Sequence, residues 1–424
     1  MENYLPQVRE QYEDFPYPPR LPEDEKKCLV TTWLDSLFMI NHYCCEGAQT
    51  FANGFRVLVA GGGTGDGTIY LAEQLRNTDA EVVHLDISAG SIEIARKRAE
   101  IRDLTNIRWI NDSLLNLPQL GLGYFGYINC SGVLHHLSEP DAGLCALKSV
   151  LAPGASIGLM VYGTYGRTGV YQMQKLLRLI NEGTDKLALR LENAKQVVGA
   201  IPASNWFAKG GYLDDLSNDA GIVDLLLHAQ DISYTVEELY VWLHDQHGFH
   251  LEFSGLGRRK SAYLPDLVVA PRQAAFLDQV RARPLRQQQA IAELLGGALD
   301  IHSLYLTPGR SRVAPYGDGD YIPFFCHEPV SGPEISAIIH RNTQQPFVLS
   351  HSHTGITTTV DHGRYGKFVL KYLDGKRTFA EIFSLVRRED KFRRAPPSDE
   401  TLFDDFKGLY IFFNAIERLL LKRR

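Results

Sequence analysis

Several things are missing from this chain, and each absence removes a class of answer. It has no run of about eighteen uncharged apolar residues, so no transmembrane helix is expected. The first residues carry acids and prolines without an apolar core, so no secretory signal is expected either. The six cysteines, Cys28, Cys44, Cys45, Cys130, Cys145 and Cys326, include no C-x-x-C pair. Reduced thiols in a cytoplasmic protein fit that pattern better than a disulfide framework. A basic excess is lacking too. Lysine and arginine number 44 against 50 acids, a net charge of −6, and no nucleic-acid partner is expected. The short basic runs Arg258–Lys260, Arg387–Arg388 and Lys422–Arg424 read as solvated faces or helix ends.

What is present begins with Val57-Leu-Val-Ala-Gly-Gly-Gly-Thr-Gly-Asp-Gly67. It reads as a buried strand, a glycine turn and a helix starting near Thr68. A second apolar strand, Val82 to Leu85, ends in Asp86. Strand, backbone-only turn, helix and an acid at the next strand tip make a nucleoside half-site, with Asp86 accepting hydrogen bonds from two ribose hydroxyls. The spacing argues against a dinucleotide. In G-x-G-x-x-G the third glycine would fall at Asp66, whereas the glycines here stand at Gly61, Gly63 and Gly65.

That G-x-G-x-G spacing resembles the first motif of class I S-adenosylmethionine-dependent methyltransferases. More of the family's pattern follows in order. Asn111-Asp112-Ser113 comes after a third strand, where the family places an adenine-binding acid. Gly126 to Leu137, with its Leu-His-His-Leu exit, looks like the fourth strand. Leu147 to Gly158, with Leu151-Ala-Pro-Gly154 as a turn, looks like the approach to strand five. The likeness covers roughly residues 50–165. It implies S-adenosyl-L-methionine as cosubstrate, held by Ala60, Gly61, Gly63, Gly65, Asp86, Ile87, Asp112, Ser113 and Cys130. Two departures stand out. Val59 or Ala60 replaces an acid common at the tip of strand one, and Gly126 replaces an acid that often opens strand four. Backbone carbonyls near Ala60 and Cys130 could replace the first. An alternative is a catalytically weak nucleoside-binding scaffold or regulatory subunit.

The resemblance implies an α/β fold with a Rossmann-like seven-stranded sheet, and the strand-rich start, two short helices and long final helix that follow the linker suggest a small α+β winged-helix-like C-terminal domain. The expected segments are an arm or lid over 1–50, a methyltransferase domain over 51–260 with a helical insertion at 170–230, a helical region and linker over 261–333, and an accessory domain over 334–424. Prolines keep Tyr12–Arg20 out of helical form, and a helix is expected from about Glu23 to Cys45. Thr235 with Glu238 and Thr378 with Glu381 are capping-box pairs. Residues 272–306 read as helical, and a last helix as Ser398 to Leu421. A similar order of segments occurs in some bacterial protein-lysine methyltransferases, whose Y-x-x-x-P-Y start Tyr12, Pro16 and Tyr17 match.

Methyl transfer requires alignment first and a base only where the acceptor carries a proton. His135, Tyr162 and Arg167 are the candidate catalytic residues, with His135 either a base or an organiser of its loop. Tyr12, Tyr17, Arg20, His136 and Tyr165 are the candidate acceptor contacts. The acceptor is expected to be a small molecule or a protein or peptide side chain, and a homodimer is possible. No Asn/Asp-Pro-Pro-Tyr/Phe follows strand four, which argues against methylation of DNA or glutamine amino groups. Histidines recur at His327, His340, His351, His353 and His362, but no cysteine or carboxylate has ligand spacing, so no metal is expected.

Overall fold

The computed structural model describes residues 6–210, 212, 215–255, 258–269, 275–326, 331–341, 347–351, 356–360 and 362–424. The chain divides into two compact units, each gathered from separated stretches. The first comprises Met1–Ser36, Phe51–Phe249 and Gly296–Pro308, and the second Leu37–Thr50, His250–Leu295 and Gly309–Arg424. The expected breaks at 50, 260 and 333 differ from this partition, because packing rather than chain order defines the units.

In the first unit, β1 (Arg56–Ala60), β2 (Glu81–Asp86), β3 (Ile107–Asn111), β4 (Phe125–Ser131) and β5 (Leu151–Gly163) pair in parallel in the order β3-β2-β1-β4-β5. Val57, Leu58 and Val59 are buried, as a strand covered on both faces requires. Helices Asp66–Leu75, Ala89–Ile101 and Pro140–Ser149 make the crossovers. The chain runs outward from β1 to β3 and restarts at β4, so β1 and β4 flank the switch point where ligands bind in such sheets. The short β6 (Ser233–Tyr234) lies on β5. β7 (Phe249–Ser254) straddles the boundary between the units.

The expected Rossmann-like, parallel-dominated sheet is present. Two expectations are corrected here. Residues 272–306 are not all helical: β8 (Ile301–Pro308) runs antiparallel on β5, with Leu159 opposite Leu304. His302 to Thr307 are all buried, so the alternation that marks a strand is absent from the sequence. Leu151-Ala-Pro-Gly154 lies within β5, where the register with β4 shifts between Phe125 and Tyr127.

The arm differs too. Helix Pro6–Asp14 contains Tyr12 and stops before Pro16. The helix expected from Glu23 to Cys45 is only a short turn, Pro22–Lys26, and the helix Leu37–Cys44. Between them Thr31 and Thr32 have low helix propensity, and the Thr32 hydroxyl donates to Asp35 Oδ2 at 2.6 Å.

The second unit is built on an aromatic core of Tyr365, Phe379, Phe383, Phe403, Phe406 and their neighbours. Helices Gly332–Arg341, Gly366–Tyr372, Phe379–Arg387 and Asp399–Ala415 surround it, and strands Phe347–His351 and Ile356–Val360 pair antiparallel. The capping box of Thr378 and Glu381 is formed. The last helix ends at Ala415 rather than Leu421. Glu417 turns at φ 55°, and Leu419–Lys422 becomes a strand on Ile322–Phe325. That pairing, and the burial of Ala314 and Tyr321, put much of the expected linker into the core.

Candidate active site

The glycine turn carries β1 into helix Asp66–Leu75 with φ of 74° at Gly61, 52° at Gly63 and 101° at Gly65. These left-handed values favour glycine. A Cβ on Gly61 would stand 2.3 Å from a Val133 methyl, and one on Gly63 would stand 2.7 Å from the Tyr17 carbonyl oxygen. The backbone therefore packs closely here on both the β4 loop and the arm. Ala60 ends β1 and Cys130 is the next-to-last residue of β4; both are fully buried, and burial pushes the Cys130 thiol up to about 12.

At the tip of β2 the Asp86 carboxylate accepts from the Gly63 N–H at 2.7 Å and the Ser88 N–H at 2.8 Å. Burial pushes its carboxyl up, and these backbone donors oppose the shift. Half-buried Ile87 follows. At the tip of β3, Asp112 Oδ1 accepts from the Ser113 N–H and from Asn116 Nδ2, both at 2.7 Å. Ser113 caps the turn Leu114–Gln119. Nine sequence-predicted donor residues thus lie at adjacent strand tips. The fit to a nucleoside donor rests on this cradle: glycines no side chain could replace, and a buried carboxylate at the rim.

The arm fastens to the same rim. Ser88 Oγ donates to the Tyr12 carbonyl at 3.1 Å, and Thr64 Oγ1 to the Pro18 carbonyl at 2.6 Å. Arg20 makes a two-pronged pair with Asp66 at 2.9 and 2.6 Å. Glu13 accepts from the Ala89 and Gly90 N–H groups at the start of helix Ala89–Ile101. The Tyr17 hydroxyl donates to Asp215 at 3.2 Å.

Beyond β4 and β5 lies a buried polar cluster. His135 is fully buried, its ring centroid 3.9 Å from that of Tyr162, and neither ring nitrogen has a hydrogen-bond partner. Burial, then His136 and Arg167, hold its pKa well below the usual histidine range. His136 stacks on His228 at 3.7 Å, and its Nδ1 lies 2.7 Å from the Gln230 carbonyl. Asp224 receives the Tyr12 hydroxyl at 3.1 Å on one oxygen and the Tyr162 hydroxyl at 3.4 Å on the other. Arg167 lies 3.6 Å over the Tyr162 ring and donates to Asp231 at 2.9 Å. Its charge is thus balanced within the protein. Tyr165 stands apart, 37% exposed.

Sequence reasoning missed Asp224, His228 and Asp231, which fall in or just after a stretch read only as a helical insertion. It also missed Asp35. This buried carboxylate accepts from Asn129 Nδ2 at 2.7 Å, opposite Val59 in register, and burial pushes it up to about 6. An acid is therefore present beside the strand tip, supplied from the arm. His327 and His353 lie outside the described residues, as does the side chain of His351.

His136, Asp224 and His228 offer ligand atoms within 4.8 Å of one another. The hydrogen bonds argue against a metal there. His228 Nδ1 accepts from the Gln230 N–H at 3.1 Å, so in the neutral ring Nε2 carries the proton and faces Tyr12 Oη at 3.2 Å. No lone pair of His228 remains for an ion.

Comparison with known proteins agrees with this geometry. Residues 57–154 match the family described as Methyltransferase domain. An uncharacterized protein of Synechococcus sp. is 31% identical over 295 residues, 68% of this chain and 67% of its own length. The ubiquinone biosynthesis O-methyltransferase of Acinetobacter baylyi is 26% identical over 137 residues, 31% of this chain and 55% of that enzyme. The chain thus spans about half the length of that enzyme. The solved structure of PKMT2 from Rickettsia typhi in complex with AdoHcy is similar in fold, with a TM-score of 0.58 at 16% identity, covering 96% of this chain and 77% of that one. The chain belongs to the class I S-adenosylmethionine-dependent methyltransferases. Its cosubstrate is S-adenosyl-L-methionine. Among the described residues no helix is long and apolar enough to cross a membrane.

Proposed function

We propose that the first unit holds the donor across the tips of β1, β2 and β3 and presents its methyl toward the buried cluster beyond β4 and β5. Asp86 takes the ribose hydroxyls, and Asp112 with Ser113 takes the adenine. Ala60, Gly61, Gly63, Gly65, Ile87 and Cys130 line the remainder. The observation that carries this reading is the pairing of Gly63 and Asp86, a glycine turn and a buried acid joined at 2.7 Å. The donor supplies an already activated methyl on a sulfonium, so the protein's task is alignment and exclusion of water. Tyr12, Tyr17 and Arg20 serve the second task as a cover. Tyr162 and His136 wall the acceptor side, and His135 organises the loop after β4. Tyr165, being half-exposed, marks an entrance. Arg167 is engaged by Asp231, so its proposed role is to hold Tyr162 in place rather than to bind an acidic acceptor.

The acceptor is a small molecule or a protein or peptide side chain. Residues 334–424, expected to form a winged-helix-like accessory domain, are proposed to serve acceptor recognition or homodimer assembly. The cysteines form no C-x-x-C pair, and a reducing, cytoplasmic setting is proposed on that spacing. Incubation with methyl-labelled S-adenosylmethionine and a cell extract, separated into small-molecule and protein fractions, tests the function. Label entering neither fraction from a donor-binding protein would count against methyl transfer to either class.

A further inference from the structure

Asp224 is a buried carboxylate with no cation of its own. It is 6% exposed, and among the described residues it makes no ion pair with a lysine or arginine. Its hydrogen-bond donors are neutral phenols, Tyr12 on one oxygen and Tyr162 on the other. The nearby guanidinium of Arg167 is paired with Asp231. Burial pushes the Asp224 carboxyl up, the expected response of an acid lacking a counter-charge. The surrounding walls are aromatic: Tyr12, Tyr162, His136 and His228. His135 adds two ring nitrogens without partners, buried in the same cluster. An acid with aromatic walls and no free cation suits a positively charged ligand group.

The cluster also lies where the donor's charge is expected. Tyr12 spans the gap: its carbonyl receives Ser88 beside Asp86, while its hydroxyl reaches Asp224. His135 and His136 open from the end of β4, next to Val133, which packs against Gly61. A nucleoside anchored on Asp86 and Gly63 therefore directs its other end toward Asp224.

We infer that Asp224, with Tyr12 and Tyr162 fixing its carboxylate, is the counter-charge for the cationic centre at the methyl end of the donor, so that the site prefers a charged ligand to a neutral one. This rests on the proposed donor site. Two consequences follow from the charge. The donor is favoured over its demethylated product, which is uncharged at sulfur. An anionic acceptor group is disfavoured, since it would meet Asp224 with no free cation nearby.

The test uses the full chain and three ligands in calorimetry: S-adenosylmethionine, S-adenosylhomocysteine, and sinefungin, which carries an ammonium-bearing carbon in place of the sulfonium. Wild-type protein should bind the two charged ligands about tenfold or more tightly than S-adenosylhomocysteine. Asp224→Asn should remove that preference and leave S-adenosylhomocysteine affinity within about twofold, which also reports that the variant is folded. Equal or tighter binding of S-adenosylhomocysteine by the wild type overturns the inference, and this needs no variant. An Asp224→Asn protein that keeps the wild-type preference overturns it as well. If none of the three binds, the donor reading fails and takes this inference with it.

Discussion

At Asp86 two main-chain N–H groups reach the carboxylate, from Gly63 at 2.7 Å and from Ser88 at 2.8 Å, and the side chain is 8% exposed. Hydrogen bonds from ribose to such a charged acceptor are worth more than neutral ones. Asp86→Ala should weaken S-adenosylhomocysteine binding by about 1.5–3 kcal/mol. Gly63→Val should do worse, because its Cβ would meet the Tyr17 carbonyl at 2.7 Å. Calorimetry on the two variants checks both, and wild-type affinity in either would place the donor elsewhere. His84 makes a separate prediction. It is buried against the Thr68 hydroxyl at 2.8 Å, and burial holds its pKa down at about 3, against 6.5 when exposed. Between those values the unfolded chain binds the extra proton. The stability that depends on neutral His84 is therefore full above 6.5 and is lost as pH falls toward 3. His84→Gln should lose less melting temperature than wild type between about pH 7.5 and about pH 5. An equal loss in both proteins would contradict this. The donor residues were legible because glycine spacing and a strand-tip acid leave a linear signature. Asp224, His228 and Asp35 were not, since distant segments bring each to its place.

Among the elements, the arm shows what proline spacing can and cannot reveal. Pro16, Pro18 and Pro19 were expected to keep all of Tyr12–Arg20 out of helix, yet helix Pro6–Asp14 contains Tyr12, four residues before the first of them. Contacts rather than propensity fix the arm: Glu13 on two helix-start N–H groups, Thr64 on Pro18, and Arg20 on Asp66. Replacing both Glu13 and Arg20 with Ala should loosen it. Limited proteolysis of residues 1–20 should then be faster than in wild type, and S-adenosylhomocysteine should slow it. Cleavage indifferent to the ligand would mean that the arm does not cover the donor. Strand β8 teaches the converse. Buried on both faces, it lacks the period-two alternation that exposes a strand in sequence. The capping boxes at Thr235 and Thr378 were readable because four consecutive residues suffice to specify them.

At the scale of the molecule, the two units do not follow chain order. The second draws on Leu37–Thr50, where His42 Nδ1 accepts the Leu421 N–H at 3.1 Å and the His42 carbonyl accepts Ala314 N–H at 2.7 Å. A chain cut near residue 330 would lose most of that unit's core while keeping segments that pack on it. Such a truncation should melt well below the full chain and self-associate, in contrast to the separable module that composition suggests. A truncated chain melting with the full one would contradict the partition. Composition reads domains as consecutive stretches, and only packing reveals that these interleave.

The central claim is that the cradle at the tips of β1 and β2 binds a sulfonium nucleoside and not a dinucleotide. Calorimetry of the full chain against S-adenosylhomocysteine and NAD tests it most directly. Saturable binding of S-adenosylhomocysteine at one site per chain, with no heat from NAD, is the predicted result. Saturable NAD binding with no response to S-adenosylhomocysteine would contradict the account.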